Sequence, residues 1–435
     1  AGAIDNRQLV QARQMDLLDD FYFILGRAGV HQTRSFSWFT VGEKPTVVQD
    51  GERVEATYRN VNLICKQAND SIVIFGTSGR YDPVACRWYG EGGEVHWLRS
   101  GFSPDTVNAT LAKYRIDTRR SEYTADTVQF VNRLYLSVPV LGRLSDKLLA
   151  NSGGQMSMFP LVETYGGSYE VKSPIQGVSF RGGVIMQGDR LIGTGTPAEP
   201  LQLEMERNGS ALLKVLAQRM SFSNNSMSSD YARVAIYLQG DSLFHSGLRF
   251  SYNGYDKTVR IRPSNLKITR APMYSSYHRM IIFFEELSWK LGDEKMIFGP
   301  QFGSTRGQAY FQSDQYFKEQ RFDAMMGQDA EHPLTALTEA AAAYGGRTMP
   351  IDFVGRIIGA NAVDVRRLLM GLAVQGYVLY NVELQEVTVL DRVYSDIDAR
   401  FKRKDYDAIE FSSTVGSGMA NAVLNLDSAD LEVYS

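Results

Sequence analysis

The sequence predicts a mainly β protein: an elongated β-solenoid or β-roll, with tandem β-sandwiches as the alternative, interrupted near its C-terminal end by a small α/β module. Three observations predict it. Between residues 21 and 312, short runs rich in β-branched and aromatic residues (SFSWFTV, EATYRNVNLICK, DSIVIFG, DYARVAIYLQG, LFHSGLRFSYN) are each ended by Gly, Asn, Asp or Ser. Similar polar corners recur in KQANDSIVIFG, YRIDTRRSEYTA, YLQGDSLFHSG and LNLDSADLEVYS, as expected if each unit buries its apolar face on its neighbours. From Ser313 the apolar spacing turns helical, and after residue 394 it returns to strands.

The elements follow in order. Residues 1–20 read as an N-terminal helix, with Asp5 as cap, Gln8 three places on, and Leu9, Met15 and Leu18 on one face. Residues 21–312 are the solenoid or roll. Residues 313–330 predict a connecting helix in which Tyr316, Phe317, Phe322 and Met325 share a face and Gly327 ends it. Residues 331–394 form the inserted module. Its first helix starts near Pro333 and stops at Gly345-Gly346, a short IDFVGRIIG follows, and the next helix opens with Asn361 and Asp364 placed as a capping box. Val365, Leu368, Leu369 and Leu372 make the core face of that helix, and QGYVLYNVELQEVTVL then alternates as a hairpin turning near Asn381. Residues 395–435 resume strands, and because AVLNLDSADLEVYS stops within a strand pair, a longer parent protein is expected.

Helix, helix, helix, hairpin over Glu331–Leu390 resembles a winged helix, a fold that usually reads DNA through its third helix. The resemblance implies a contact face of Asp364, Arg366, Arg367 and Met370. The charge balance argues against nucleic acid: Arg347, Arg356, Arg366 and Arg367 stand against Glu331, Glu339, Asp352, Asp364, Glu383 and Glu386, and the wing itself is acidic. The basic cluster Arg400, Lys402, Arg403 and Lys404 follows the module and reads as a solvated turn. Protein docking is the role expected of it.

Bulk numbers exclude little else. A hydrophobic content of 44% with 22% charged residues excludes wholesale disorder, and a net charge of −3 gives no global pull toward phosphate backbones or anionic lipid. The most apolar window, MIIFFEEL, is short and stopped by Glu285-Glu286, so no transmembrane span is expected.

The search for chemistry is mostly negative. His31, His96, His245, His278 and His332 are never three or four apart, and there is no Cys-x-x-Cys, phosphate-binding loop or nucleophile elbow. No catalytic residue, cofactor or metal is assigned. Cys65 and Cys86 both fall on the apolar parity of their strands, Cys86 with Val84 and Trp88; buried free thiols are the simpler reading and a disulfide between neighbouring strands the sharper one. Asp followed by Ser or Thr and an apolar residue recurs at Ser71, Thr106, Thr127, Ser242 and Ser428, resembling a bacterial O-glycosylation acceptor; Asp-Ser turns produce the same pattern without a sugar.

Phrases such as KYRIDTRRSEYTADTVQF, VPVLGRLSDKLL and GVSFRGGVIMQGDRLIGTG resemble a class of large uncharacterised β-rich proteins of the bacterial envelope, and the β part is similar to the β-jellyrolls of lipopolysaccharide transport. That resemblance implies a location, the periplasm or surface of a Gram-negative cell, and an architecture, with no catalytic residues to carry over. The expectation is a non-enzymatic scaffold whose partners are other envelope proteins or further coils, with a lipid held in an apolar trough or a glycan as ligand. A carbohydrate-binding or carbohydrate-active protein, stacking sugars on Trp88, Trp97, Tyr114 and Tyr123, is the first alternative. A DNA-binding regulator is the second.

Overall fold

A computed structural model describes residues 24, 26, 29–50, 53–148, 158–166, 168–172, 178–223, 225–264, 266–326 and 331–434. The N-terminal helix expected over residues 1–20 lies outside them. The chain is mainly β, and the registered strand pairs are antiparallel, commonly between near neighbours in sequence. It divides into two units, residues 1–172 with 182–192, and residues 173–181 with 193–435.

In the first unit the longest hairpin joins Arg53–Gln67 to Asp70–Asp82, and its register slips between Tyr58 and Leu63. A bulge inserts an extra residue and bends the strand, which is why Asn60 (φ 45°) and Gly76 (φ 61°) occupy the left-handed region there. Each half of a bent strand therefore takes its own neighbour. Residues 53–57 pair with Thr46–Asp50, and residues 62–66 with Ser37–Val41. Likewise Ser78–Asp82 pairs with Arg87–Glu91, and Phe75 with Glu94. The two ladders continue through Lys113–Asp117 and Val107–Leu111 and rejoin on Glu122–Asn132, itself bulged between Ala125 and Val128. Inward positions carry Trp38, Trp88, Trp97 and Phe130, none with any exposed surface, so the interior is filled.

The second unit repeats the device. Ser226–Leu238 and Asp241–Asn253 pair with register slips between Ser229 and Val234. One ladder then runs through Thr258–Arg262, Glu286–Lys290, Lys295–Gly299 and Ala422–Asn425. The other runs through Met273–Ser275, Met280–Phe283, Arg306–Ser313 and Glu410–Gly416. Between the last two strands of this second ladder sits the helical module.

Five helices build it: α1 (Glu319–Met325), α2 (Pro333–Tyr344), α3 (Ile351–Ile358), α4 (Ala362–Val374) and α5 (Asp391–Arg400). A three-stranded sheet completes it, with Glu386–Val389 between Thr348–Pro350 and Val378–Asn381. The caps follow the sequence. Asn361 Oδ1 accepts from the amides of Val363 and Asp364, Gly345 takes φ 78° after α2, and Asn381 Oδ1 accepts from Glu383 and Leu384 at the hairpin turn. Leu334, Leu337, Val354, Leu369, Val387 and Val393 meet in its core.

Two elements depart from the sequence expectation. The connecting helix spans only Glu319–Met325, because Ser313, Tyr316 and Phe317 are held in the strand system by Asp407: Ser313 Oγ donates to its carboxylate, and the Phe317 amide donates to its carbonyl at 3.3 Å. The module does not end at residue 394. α5 continues to Arg400, since Val393 and Ile397 bury one face and the expected strands resume only at Glu410. The basic cluster after it is paired or solvated, Arg400 with Glu319 and Asp323, Arg403 with Asp398.

Candidate functional site

A groove of about 1100 Å³ opens on the module. The end of α1 supplies Ala324 and Met325, the start of α2 Pro333 and Ala336, the turn into α4 Ile358 to Asn361, and α4 itself Leu368, Gly371 and Leu372. On α4, Gly371 has nothing within 4 Å of where a Cβ would stand, so the helix leaves the groove open on that side. The rim is charged with both signs, Arg321 and Arg367 against Glu331 and Asp364, and Asp364 already holds Arg367 at 3.4 Å. An apolar floor with a rim of two arginines against two carboxylates offers a phosphate backbone no excess of positive charge.

Beneath the groove lies a buried ion cluster. The Tyr377 hydroxyl donates to Asp396 Oδ2 at 2.7 Å, and Arg321 stands 3.7 Å from the same oxygen. Arg392, 1% exposed, donates to the Gln375 carbonyl at 3.3 Å and to Gln312 Oε1 at 3.1 Å, and stacks over the Tyr377 ring. Gln312 belongs to strand Arg306–Ser313, so the cluster ties α5 to the β ladder. Burial raises the Asp396 carboxyl above the ordinary range, while the Tyr377 hydroxyl and the two guanidiniums oppose that rise. Burial likewise lowers Arg392. His332 seals the start of α2: Nδ1 accepts from the Leu334 amide, Nε2 donates to the Phe322 carbonyl at 2.9 Å, and the ring stacks on Phe322. Those two bonds define one neutral tautomer.

The hairpin of the module is turned toward the protein itself. Strand Val378–Asn381 lies against Asp241–Asn253, and residues 381–386 are all half-buried. Glu383 sits in the field of Arg233 with its carboxyl pushed up by burial, beside Tyr231. Tyr231 packs flat over Gly247, where a Cβ would stand 2.1 Å from its ring. The C-terminal end of α4 meets the ladder too, through Gly376 against Pro272 and Ile281.

The residues picked out by the sequence scatter accordingly. Asp364, Arg366 and Arg367 are exposed on α4, whereas Met370 is drawn partly into the module core. Cys65 and Cys86 are not joined by a disulfide. Cys65 is buried and its thiol pushed up by burial; Cys86 does not share a buried strand face with Val84, because the chain turns at 83–86, Val84 is 67% exposed and Cys86 takes φ 50°. Ser71, Thr106, Thr127, Ser242 and Ser428 stand at turns, strand starts or a bulge, and Thr127 and Ser428 are the exposed ones. Trp88, Trp97, Tyr114 and Tyr123 offer no stacking surface: all are buried, the two tryptophans completely. Among the described residues, no group of three or more His, Cys, Asp or Glu could hold a metal ion.

Several ionisable groups escaped the sequence reading. In the first unit Asp146 lies inside the strand stack, 2% exposed, paired with Arg99, which also reaches Asp70. Burial pushes its carboxyl up to about 6 against the pull of Arg99. A signal was available: in VLGRLSDK, Asp146 shares parity with Val140 and Leu144. In the second unit His245 is 1% exposed, its Nε2 donating to the Ala271 carbonyl and its Nδ1 accepting from the Gly247 amide. Burial lowers it to about 4.

Comparison with protein-family models, with curated proteins and with solved structures finds no match for the chain. No helix among the described residues is long and apolar enough to cross a membrane.

Proposed function

We propose that this chain is a non-enzymatic, extracytoplasmic scaffold of the bacterial envelope, built as a β-roll and carrying a winged-helix-like module that docks protein. The helix and strand order of the module, with Glu386–Val389 central in its sheet, supports the winged-helix reading. Paired ladders that share long bent strands support the roll. The observation that carries the docking role is the direction of the wing: it packs on the protein's own strands while the groove beside α4 stays open. A DNA reader needs both the helix and the wing free to meet phosphate. Here the wing is committed and acidic.

The test is a photo-crosslinking amino acid at Val363, 63% exposed at the start of α4, compared with one at Tyr255, 84% exposed on a strand turn. In cells, protein adducts are expected from Val363 and far fewer from Tyr255. Equal labelling at both positions, or a nucleic-acid adduct at Val363, overturns the docking role. Recovery of the protein with the cytosolic fraction overturns the location.

A further inference from the structure

The second unit's ladders end on two unpaired edges. Among the described residues, no strand pairs with the far side of Glu410–Gly416 or of Leu431–Val433. One strand earlier the inward face is sealed, with Phe311, Ala422 and Leu424 at 0–1% exposure. On the last strands the same face opens in part, Ser413 and Val415 staying buried at 1% and 9%. Phe411, the register partner of Phe311, is 51% exposed, and Leu431 and Val433, partners of Leu424 and Ala422, are half-buried.

The backbone is equally ready. The Ser313 amide donates to the Ile409 carbonyl and the Ser417 amide to the Thr305 carbonyl, so the odd-numbered residues of this strand bond toward Arg306–Ser313. Bonding alternates along an antiparallel ladder, which leaves the amides and carbonyls of Ser412 and Thr414 facing outward. Native edges are normally blunted by lysine, proline or a bulge. EFSSTVG has no lysine or proline, and its register with Arg306–Gln312 is unbroken.

The strand is also complementary to itself. Turned about a two-fold axis through Ser413, it sets Ser412 opposite Thr414, Phe411 opposite Val415, and Glu410 opposite Gly416. Apolar side chains then meet on the inward face, and its one charge meets a glycine rather than its own image. Closed two-fold pairing of this kind is the commonest oligomer symmetry. We infer that a second copy of this chain covers the edge, Glu410–Gly416 pairing antiparallel with its symmetry mate so that the exposed Phe411 is covered at the seam, beside the mate's already buried Val415. This surface is distinct from the module's groove and stands without the docking role.

Sedimentation velocity tests it. The 435-residue chain is expected to run as a dimer at micromolar concentration. Thr414→Pro removes an outward amide without taking a bond from the Arg306–Ser313 ladder, and Phe411→Lys removes the exposed ring; each is expected to weaken the dimer at least ~10-fold while leaving the circular dichroism unchanged. If the proline variant fails to fold, the lysine variant, at a half-exposed position, decides alone. A wild-type monomer at up to about 100 μM, a larger open-ended assembly, or a dimer that tolerates both changes overturns the inference.

Discussion

The two units bury ionisable groups in the same way and are expected to answer pH in opposite directions. Asp146 in the first unit and His245 in the second are both sealed between strands, and desolvation favours the neutral form of each. For an acid that raises the pKa; for a base it lowers it. One environment thus yields two opposite pH responses, and the difference lies in the chemistry of the side chain rather than in the fold around it. The module's Asp396 is a third case, in which a hydroxyl and two guanidiniums hold the charge that burial resists.

The largest effect is expected where the charge cannot be neutralised. Arg392→Ala leaves the Gln312 side chain and the Gln375 carbonyl without their buried donor and takes a favourable charge from the field at Asp396, and should cost about 3–5 kcal/mol, read as a lowered urea midpoint with unchanged slope. His245 comes next. Its folded pKa of about 4 lies below the ~6.5 of an unfolded histidine, so the unfolded chain binds the extra proton. The stability it contributes is present above pH ~6.5 and lost as pH falls through about 4, by about 3 kcal/mol. His245→Gln should flatten that acid limb.

Asp146 tilts the other way by a similar or slightly smaller amount. Its folded pKa of about 6, with the pull of Arg99 included, exceeds the ~3.9 of an unfolded aspartate, so its contribution is full below pH ~4 and lost as pH rises through about 6, again about 3 kcal/mol. Trp38, Trp88 and Trp97 all belong to the first unit, so a Trp289→Phe background reports that unit alone by fluorescence. Asp146→Asn should abolish its slope between pH 4 and 6. Parallel pH responses in the two units would break the comparison. The smallest effect is at the α4 cap, where Asn361→Ala should cost about 1 kcal/mol by thermal melt and leave both pH slopes alone.

Much of this architecture was legible because its signals are local. Alternation marked the strands, Asn361 and Gly345 marked helix ends, and Asn381 marked the hairpin turn, each through bonds to residues two to four away. What was hidden depends on distant partners. Nothing near Tyr316 tells that Asp407 will hold it out of a helix, and nothing near Arg392 tells that Gln312, on another element, will accept its hydrogen bond. The groove was invisible for the same reason, being a gap between helices rather than a property of any one. Met370 was placed on the outer face by its helical position, but the packing of the neighbouring elements draws it inward. Asp146 and His245 were readable and overlooked, each a polar group on the apolar parity of its strand.

The proposed docking role requires the module to face its hairpin inward and its groove outward. Thiol labelling measures this directly, with single cysteines at Glu383→Cys and Val363→Cys in a Cys86→Ser background, Cys65 being buried. Position 363 is expected to react at close to the rate of a free peptide, and position 383 at least ~10-fold more slowly, as the strands it packs on shield that half-buried site. Equal rates, or a faster reaction at 383, would contradict it.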